Sequence, residues 1–211
     1  MTRVTDLRCT DYVRAVGSKQ SIPGGGSVTA LVGALGASLG CMAASFTKGK
    51  PAFSQHNSRL GELIEQLENQ ATDLMRQVDC DAQAVEALAQ VWALPKSDST
   101  RAAHIQQATL NATRAPQAMM RELVQTIVVL EEVCGICSQL LLSDVGTGAL
   151  LCEAALQAAA LNVFVNTSCL ADDVQREHIE SECDEILDHW LPRAHALATQ
   201  VCSQIRTPRS R

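Results

Sequence analysis

One stretch of this chain constrains its fold more than any other. Leu60, Ile64, Leu67, Ala71, Leu74, Val78, Asp81, Val85, Leu88 and Trp92 are spaced alternately by four and three residues. At 3.6 residues per turn, that spacing lines one helix face for roughly nine turns. A seam this long needs a partner helix beside it, so it predicts helices packed on helices. Pro51 restarts the chain before the seam and Pro95 stops it, which predicts a helix from about Ser54 to Ala93. Asp81 is the one polar interruption. A buried, unpaired carboxylate is costly or is forced to protonate. Asp81 is therefore expected to meet a cation, line a wet cavity or face a ligand. Asp79, two positions earlier, points to another face and reaches the same cavity from its edge.

The other segments are helical as well. Residues 5–17 read as a short amphipathic helix. Ile22-Pro23-Gly24-Gly25-Gly26-Ser27 is a tight loop feeding a helix of small residues that runs to about Lys48. A helix from about Ser99 is expected to bend near Pro116 and continue towards Leu142. Another runs up to Asn166, and the last covers about Asp172 to Ile205, with a kink expected at Pro192. No low-complexity linker or internal repeat divides the chain. The expectation is one all-α domain over residues 1–211. Aromatic residues make up only 3% of the chain, and small side chains let helix axes approach closely.

Polar residues recur on apolar faces in the second half. Val133, Cys137, Leu140, Asp144, Thr147, Leu151 and Ala155 follow helical spacing, with Asp144 inside the stripe. Asn162 and Asn166 stand one turn apart among Leu161, Val163 and Val165. Each polar residue alone has an ordinary structural reading as a hydrogen bonder. Together they point to a polar pocket between helices. The glycine loop could present N–H groups to an anion at a helix start, or could need glycine only for close packing. Lys48 and Lys50 at the far end could complement the helix dipole.

Several function classes fall away. A net charge of −6 without a basic stripe argues against nucleic acid, and Arg206, Arg209 and Arg211 read as a frayed basic tail. Residues 28–46 carry no charge, but glycines and serines make them weakly hydrophobic. They fit a bundle centre or a subunit interface better than a membrane span. Nine cysteines, an odd number without a secretory pattern ahead of them, suggest reduced thiols in a cytoplasmic protein. Cys134-Gly-Ile-Cys137 has CxxC spacing but no second pair or histidine to complete a zinc site. The five histidines lack ligand spacing, so no metal is expected.

Pro23-Gly24-Gly25-Gly26-Ser27-Val28, followed by an Ala/Gly/Leu helix ending Thr47-Lys48-Gly49-Lys50, resembles the opening of the cyclodeaminase/cyclohydrolase family of folate enzymes. The resemblance continues through Asp79-Cys80-Asp81-Ala82, Leu94-Pro95-Lys96, Ser143-Asp144 and Asn162-Val163-Phe164-Val165-Asn166, in family order. It implies an all-helical subunit that forms a homodimer through long helices, with a folate site near the dimer interface. It also implies formimidoyltetrahydrofolate cyclodeaminase activity, with methenyltetrahydrofolate cyclohydrolase as the alternative. Tetrahydrofolate would be the only carrier and no further cofactor is needed.

On this reading Asp81 or Asp144 is the acid/base and the other an electrostatic stabiliser. Asn162 and Asn166 bond the pterin, with Asp79 at the cavity edge. The Gly24, Gly25, Gly26 and Ser27 backbone, with Lys48 and Lys50, takes the glutamate-tail carboxylates. Two rivals stand beside it. One is a non-catalytic folate binder, motivated by Pro51-Ala52-Phe53 where many members carry basic residues and a tyrosine. The other is a structural coiled coil, which leaves the polar interruptions unexplained.

Overall fold

The structure is a computed structural model that describes residues 3–206. Its helices are α1 (Cys9–Val16), α2 (Gly25–Thr47), α3 (Asn57–Trp92), α4 (Arg101–Ala112), α5 (Arg114–Ile136), α6 (Leu142–Thr167) and α7 (Asp173–Arg206). Short 3-10 turns occupy Val4–Asp6, Pro51–His56 and Gln139–Leu141. No strand occurs among the described residues. The fold is all-α, as expected; Arg209 and Arg211 lie outside the described residues.

Four helices form a layer in the order α3, α2, α6, α7, and α5 packs behind all four. Neighbours in the layer run antiparallel. Across α2 and α3, Gly33 meets Leu74 and Gly40 meets Leu67; across α2 and α6, Gly25 meets Asn162 and Gly36 meets Cys152. Small residues make this possible. A Cβ on Gly36 would lie 3.0 Å from the Gly148 carbonyl oxygen, and one on Gly148 would lie 2.8 Å from that of Gly36. The two helices touch backbone to backbone, so neither position has room for a side chain. Gly25–Thr47 and Gln139–Thr167 are long and apolar enough to cross a membrane by length and composition, with a mean hydropathy of 1.6 each. In the fold they are the two adjacent central helices of the layer.

The seam of α3 is buried along only part of its length. Leu60, Leu67, Leu74, Val78 and Asp81 are buried, whereas Trp92 is 52% exposed. The reason is geometric: α2 is 23 residues long against 36 for α3. The end of α3 overhangs, and α4 folds back along it.

Two expected boundaries move. The break placed near Pro116 falls at Thr113, and Pro116 lies in the first turn of α5. A proline there cannot donate to the carbonyl of Ala112, so the preceding helix ends. The helix expected to reach Leu142 stops at Ile136, where Cys137 is extended (φ −83°, ψ 165°). The stripe from Val133 to Ala155 is therefore not one helix face. Leu140 is 67% exposed, and Asp144 sits in the first turn of α6, where an acid complements the dipole. Its place among apolar residues is thus no anomaly of burial. All nine cysteines are free; Cys137 and Cys152 are buried, but Cys169 is exposed.

Candidate active site

Helix α2 starts without a side-chain cap of its own, because its first residue outside the helix is Gly24. The cap comes from another helix. Asp81 of α3 accepts a hydrogen bond from Ser27 Oγ at 3.0 Å, and the Ser27 backbone N–H also donates to its carboxylate. Ser27 Oγ lies 3.1 Å from the Val78 carbonyl as well. A Cβ on Gly26 would overlap Asp81 Oδ1. Glycine is required there by space, not by backbone angle. Of the three partners expected of it, a cationic side chain is not the one that meets Asp81: its carboxylate is answered by a helix N-terminus, whose partial positive charge favours an anion.

That answer is incomplete. Asp81 is 8% exposed. Burial raises its carboxyl above the usual carboxylate range, and the two Ser27 donors pull it back only in part. The Ser27 N–H that an outside anion would use is engaged by Asp81.

The amides gather at the same end. Asn162 Oδ1 faces Gly25, 3.3 Å from where a Cβ would be, while its Nδ2 donates to the Ala158 carbonyl at 2.7 Å. Asn166 Nδ2 donates to the Asn162 carbonyl at 2.9 Å and to the Ala112 carbonyl at 3.1 Å. Asn166 thus supplies the donor that Pro116 withholds from Ala112. Asp79 accepts from Thr5 Oγ1 at 2.8 Å and from Thr5 N–H at 3.3 Å, which ties the N-terminal segment to α3. It also lines a cavity of about 330 Å³ between that segment, Pro23 and α3, whose walls carry Arg3, Asp11 and Glu86. Asp81 is not among its walls, so this is not a cavity that Asp79 shares with Asp81.

Three candidates lie elsewhere. Lys48 caps the far end of α2 and Lys50 follows it. Ser27 and Lys48 are 21 residues apart on one helix, or roughly 30 Å at 1.5 Å per residue. Asp144, half-buried, is 18 residues before Asn162 on α6, or roughly 27 Å. A single subunit therefore does not bring Asp81 and Asp144 into one cavity. One set (Asp79, Asp81, Gly24–Ser27, Asn162, Asn166) occupies the start of α2, and the other (Lys48, Lys50, Asp144) its end.

Between the two sets runs an uncovered face. Leu35 and Phe46 on α2 are 51% and 63% exposed, and Leu150, Leu161 and Val165 on α6 are 53%, 68% and 63% exposed. The partly covered Leu31 and Met42 continue the α2 stripe, which runs Leu31, Leu35, Met42, Phe46 at spacings of four, seven and four residues. This is a second seam, on the side of the layer opposite α5.

Sequence reasoning missed Tyr12. The only tyrosine of the chain, it is 8% exposed within α1 and its hydroxyl is buried without a hydrogen-bond partner. Its signal was slight: one aromatic residue on a short amphipathic helix. Among the described residues no group of three His, Cys, Asp or Glu side chains could hold a metal ion.

Comparison with known proteins decides the family. The family model described as formiminotransferase-cyclodeaminase matches residues 8–185. This chain belongs to that family. Methenyltetrahydrofolate cyclohydrolase of Methylorubrum extorquens is 32% identical to it, over 93% of this chain and 94% of that protein. Formimidoyltransferase-cyclodeaminase of Mus musculus is 31% identical over 90% of this chain, which spans 36% of the mouse protein's length. A crystal structure of formiminotetrahydrofolate cyclodeaminase from Thermotoga maritima shares the fold, with a TM-score of 0.81 and 24% identity over 96% of this chain and 97% of that one. The blocks that suggested the family fall in α2, α3 and α6, at the two ends just described, except for Leu94-Pro95-Lys96 after α3.

Proposed function

We propose that this chain is a folate one-carbon enzyme that closes or opens the ring between N5 and N10 of tetrahydrofolate, acting as a formimidoyltetrahydrofolate cyclodeaminase. The observation that carries this reading is Asp81: a carboxyl raised by burial, held at a helix start by Ser27 and flanked by Asn162. A carboxyl so raised keeps a larger protonated fraction near neutral pH, which general acid catalysis requires.

In cyclodeamination N10 attacks the carbon of the formimino group in its protonated, amidinium form, giving a tetrahedral carbon bonded to N5, to the still-protonated N10 and to a neutral amino (NH2) nitrogen. Asp81 delivers its proton to that nitrogen, the carbon–nitrogen bond breaks, and ammonia leaves with the bonding pair. The N10 proton returns to the carboxylate, and the methenyl cation remains between N5 and N10. A second carboxylate beside that cation stabilises it, the role assigned to Asp144.

Because the two carboxylates lie far apart in one subunit, the working unit is a homodimer. A second copy laid antiparallel on the exposed seam of α2 and α6 places the end of one α2 beside the start of the other. Asp144, Lys48 and Lys50 of one subunit then join Asp81 and Asn162 of its neighbour. The lysines take the glutamate-tail carboxylates, while the acid-walled cavity at Asp79 does not suit them.

The full-length match to a cyclohydrolase favours a second reading, hydrolysis of the methenyl form, in which water attacks the cation and Asp81 accepts its proton. Supplying formiminotetrahydrofolate and methenyltetrahydrofolate separately, and following near-ultraviolet absorbance, tests both. Methenyl formation with ammonia release supports the deaminase. Methenyl loss alone supports the hydrolase. Tight binding without turnover of either sinks the enzyme reading.

A further inference from the structure

The glycines inside the long helices are there for different reasons. A Cβ on Gly33 or Gly40 would overlap a leucine of α5, and one on Gly36 would overlap Cys152 of α6, so the core itself demands glycine. Gly61 is another case. It lies past the first turn of α3, and beyond its own helix turns a Cβ there would meet only Lys48, with Nζ at 3.0 Å and Cε at 3.6 Å. Its backbone is not left-handed. Glycine inside a helix is disfavoured against alanine, and neither core packing nor backbone angle accounts for it here. What remains is the ammonium of Lys48.

Lys48 follows the last residue of α2, and its side chain is exposed. Its far end nonetheless lies on the bare backbone of α3. Among the described residues it makes no ion pair. Glu62, beside Gly61, is committed to Arg59 at 2.6 Å, and Arg59 also holds Glu132 at 2.5 Å. Glu65, one turn on, leaves Lys48 alone as well. Helix α6, which carries Asp144, packs on the other side of α2, so the seat also turns the ammonium away from that carboxylate. The start of a helix does not favour a cation. Nothing in the subunit rewards this position, and an incoming anion would.

We propose that Gly61 is a specificity-determining residue: its missing side chain is the seat that holds the Lys48 ammonium against α3, unneutralised and aimed at the carboxylates of a glutamate tail. Gly61 positions Lys48 and does not touch the ligand itself. A methyl at Gly61 would push the ammonium off the helix. The tip of a lysine yields easily, so the fold would not suffer, and α3 gives up some stability to place one charge. The choice of ligand rests on the folate reading proposed above; the seat does not.

The test uses the full chain, Gly61→Ala, Lys48→Gln and the double variant. With carbon-13-labelled lysine and no folate present, the Lys48 Cε resonance, assigned by its loss in Lys48→Gln, should move in Gly61→Ala. An unmoved resonance overturns the proposal. Gly61→Ala should also unfold about 2 °C higher, because alanine is the better helix former; a lower Tm would give Gly61 a packing role and overturn it too. Binding of polyglutamated and monoglutamated tetrahydrofolate is then measured by calorimetry. Gly61→Ala and Lys48→Gln should each raise Kd about threefold for the polyglutamated ligand, the scale of one exposed ion pair, and hardly alter it for the other. The double variant should bind no more weakly than Lys48→Gln alone. Weaker binding in Lys48→Gln without any in Gly61→Ala overturns the inference and leaves the tail reading standing. If the resonance moves and neither variant alters the preference for the longer tail, the seat stands and the tail reading fails.

Discussion

The two ends of α2 carry similar glycine-rich punctuation and do opposite electrostatic work. At the start, Gly26 and Gly25 clear space, so that a carboxylate from α3 and an amide from α6 come against the helix backbone. At the finish, Gly49 turns the chain with a φ of 84° between Lys48 and Lys50, and its N–H donates to Asn57 Oδ1 at 2.8 Å. One end is buried, acidic and short of donors. The other is exposed and basic. On the proposed reading neither end is a folate site alone, and the pairing of the two would suit a substrate that joins a cationic reacting carbon to an anionic tail.

The strongest way to break this comparison is to disable one end at a time. Asp81→Asn should lower turnover by about 10²–10⁴-fold, the usual worth of a positioned acid/base, while circular dichroism stays unchanged. Asp144→Asn should fall less. If the ends meet between subunits, co-expressing the two variants should restore about a quarter of wild-type activity, since half the dimers are mixed and each has one intact site. No restoration, from mixed dimers shown to form, would place both carboxylates in separate roles. Asp81→Asn also tests the burial argument through stability. The native carboxyl titrates above its ordinary value of 3.8, so between those two values the folded state holds more protons than the unfolded state. Stability should therefore fall as pH rises through that window. The wild type should show this decline in Tm and the variant should not.

Much of this was legible beforehand, and the failures have physical causes. The α3 seam named Leu60, Leu67, Leu74 and Val78 as core, because burial along a helix face is a periodic property. It marked Asp81 as a polar residue on a buried face, which it is, but gave no sign that a helix start would meet its carboxylate. A helix start contributed from another segment leaves no mark in local spacing. Asp144 was misread as interrupting a buried stripe, because periodicity continued across Cys137 while the helix did not. The lone tyrosine gave no pattern at all. What spacing could not supply was distance: Asp81 and Asp144 share a family pattern but stand against opposite ends of α2.

Next in size is Gly26→Ala. The added methyl meets the carboxylate, not a flexible apolar tip, so overpacking should cost about 1–3 kcal/mol and displace Asp81. Thermal unfolding and turnover should fall together. Gly135→Ala, where a Cβ has nothing within 4 Å, is the control and should change neither. At the basic end, Lys48→Gln with Lys50→Gln should raise KM about tenfold for a polyglutamated substrate and leave kcat nearly unchanged, with the effect shrinking at high salt. Equal loss for a substrate without the tail would remove the lysines from tail binding.

The smallest effect separates two reasons for being glycine. Gly49 has open space around it but a left-handed backbone, whereas Gly26 lies in a right-handed helix with no room. At Gly49 the cost of alanine is conformational alone, about 1 kcal/mol, and asparagine, which tolerates that region, should cost less than alanine. At Gly26 the cost is steric, so asparagine should cost more than alanine. Measured by chemical denaturation, the order of the two substitutions should therefore reverse between the ends of one helix. The same order at both would mean that Gly26 is not pressed against Asp81, and the buried carboxyl would lose the confinement on which its chemistry depends.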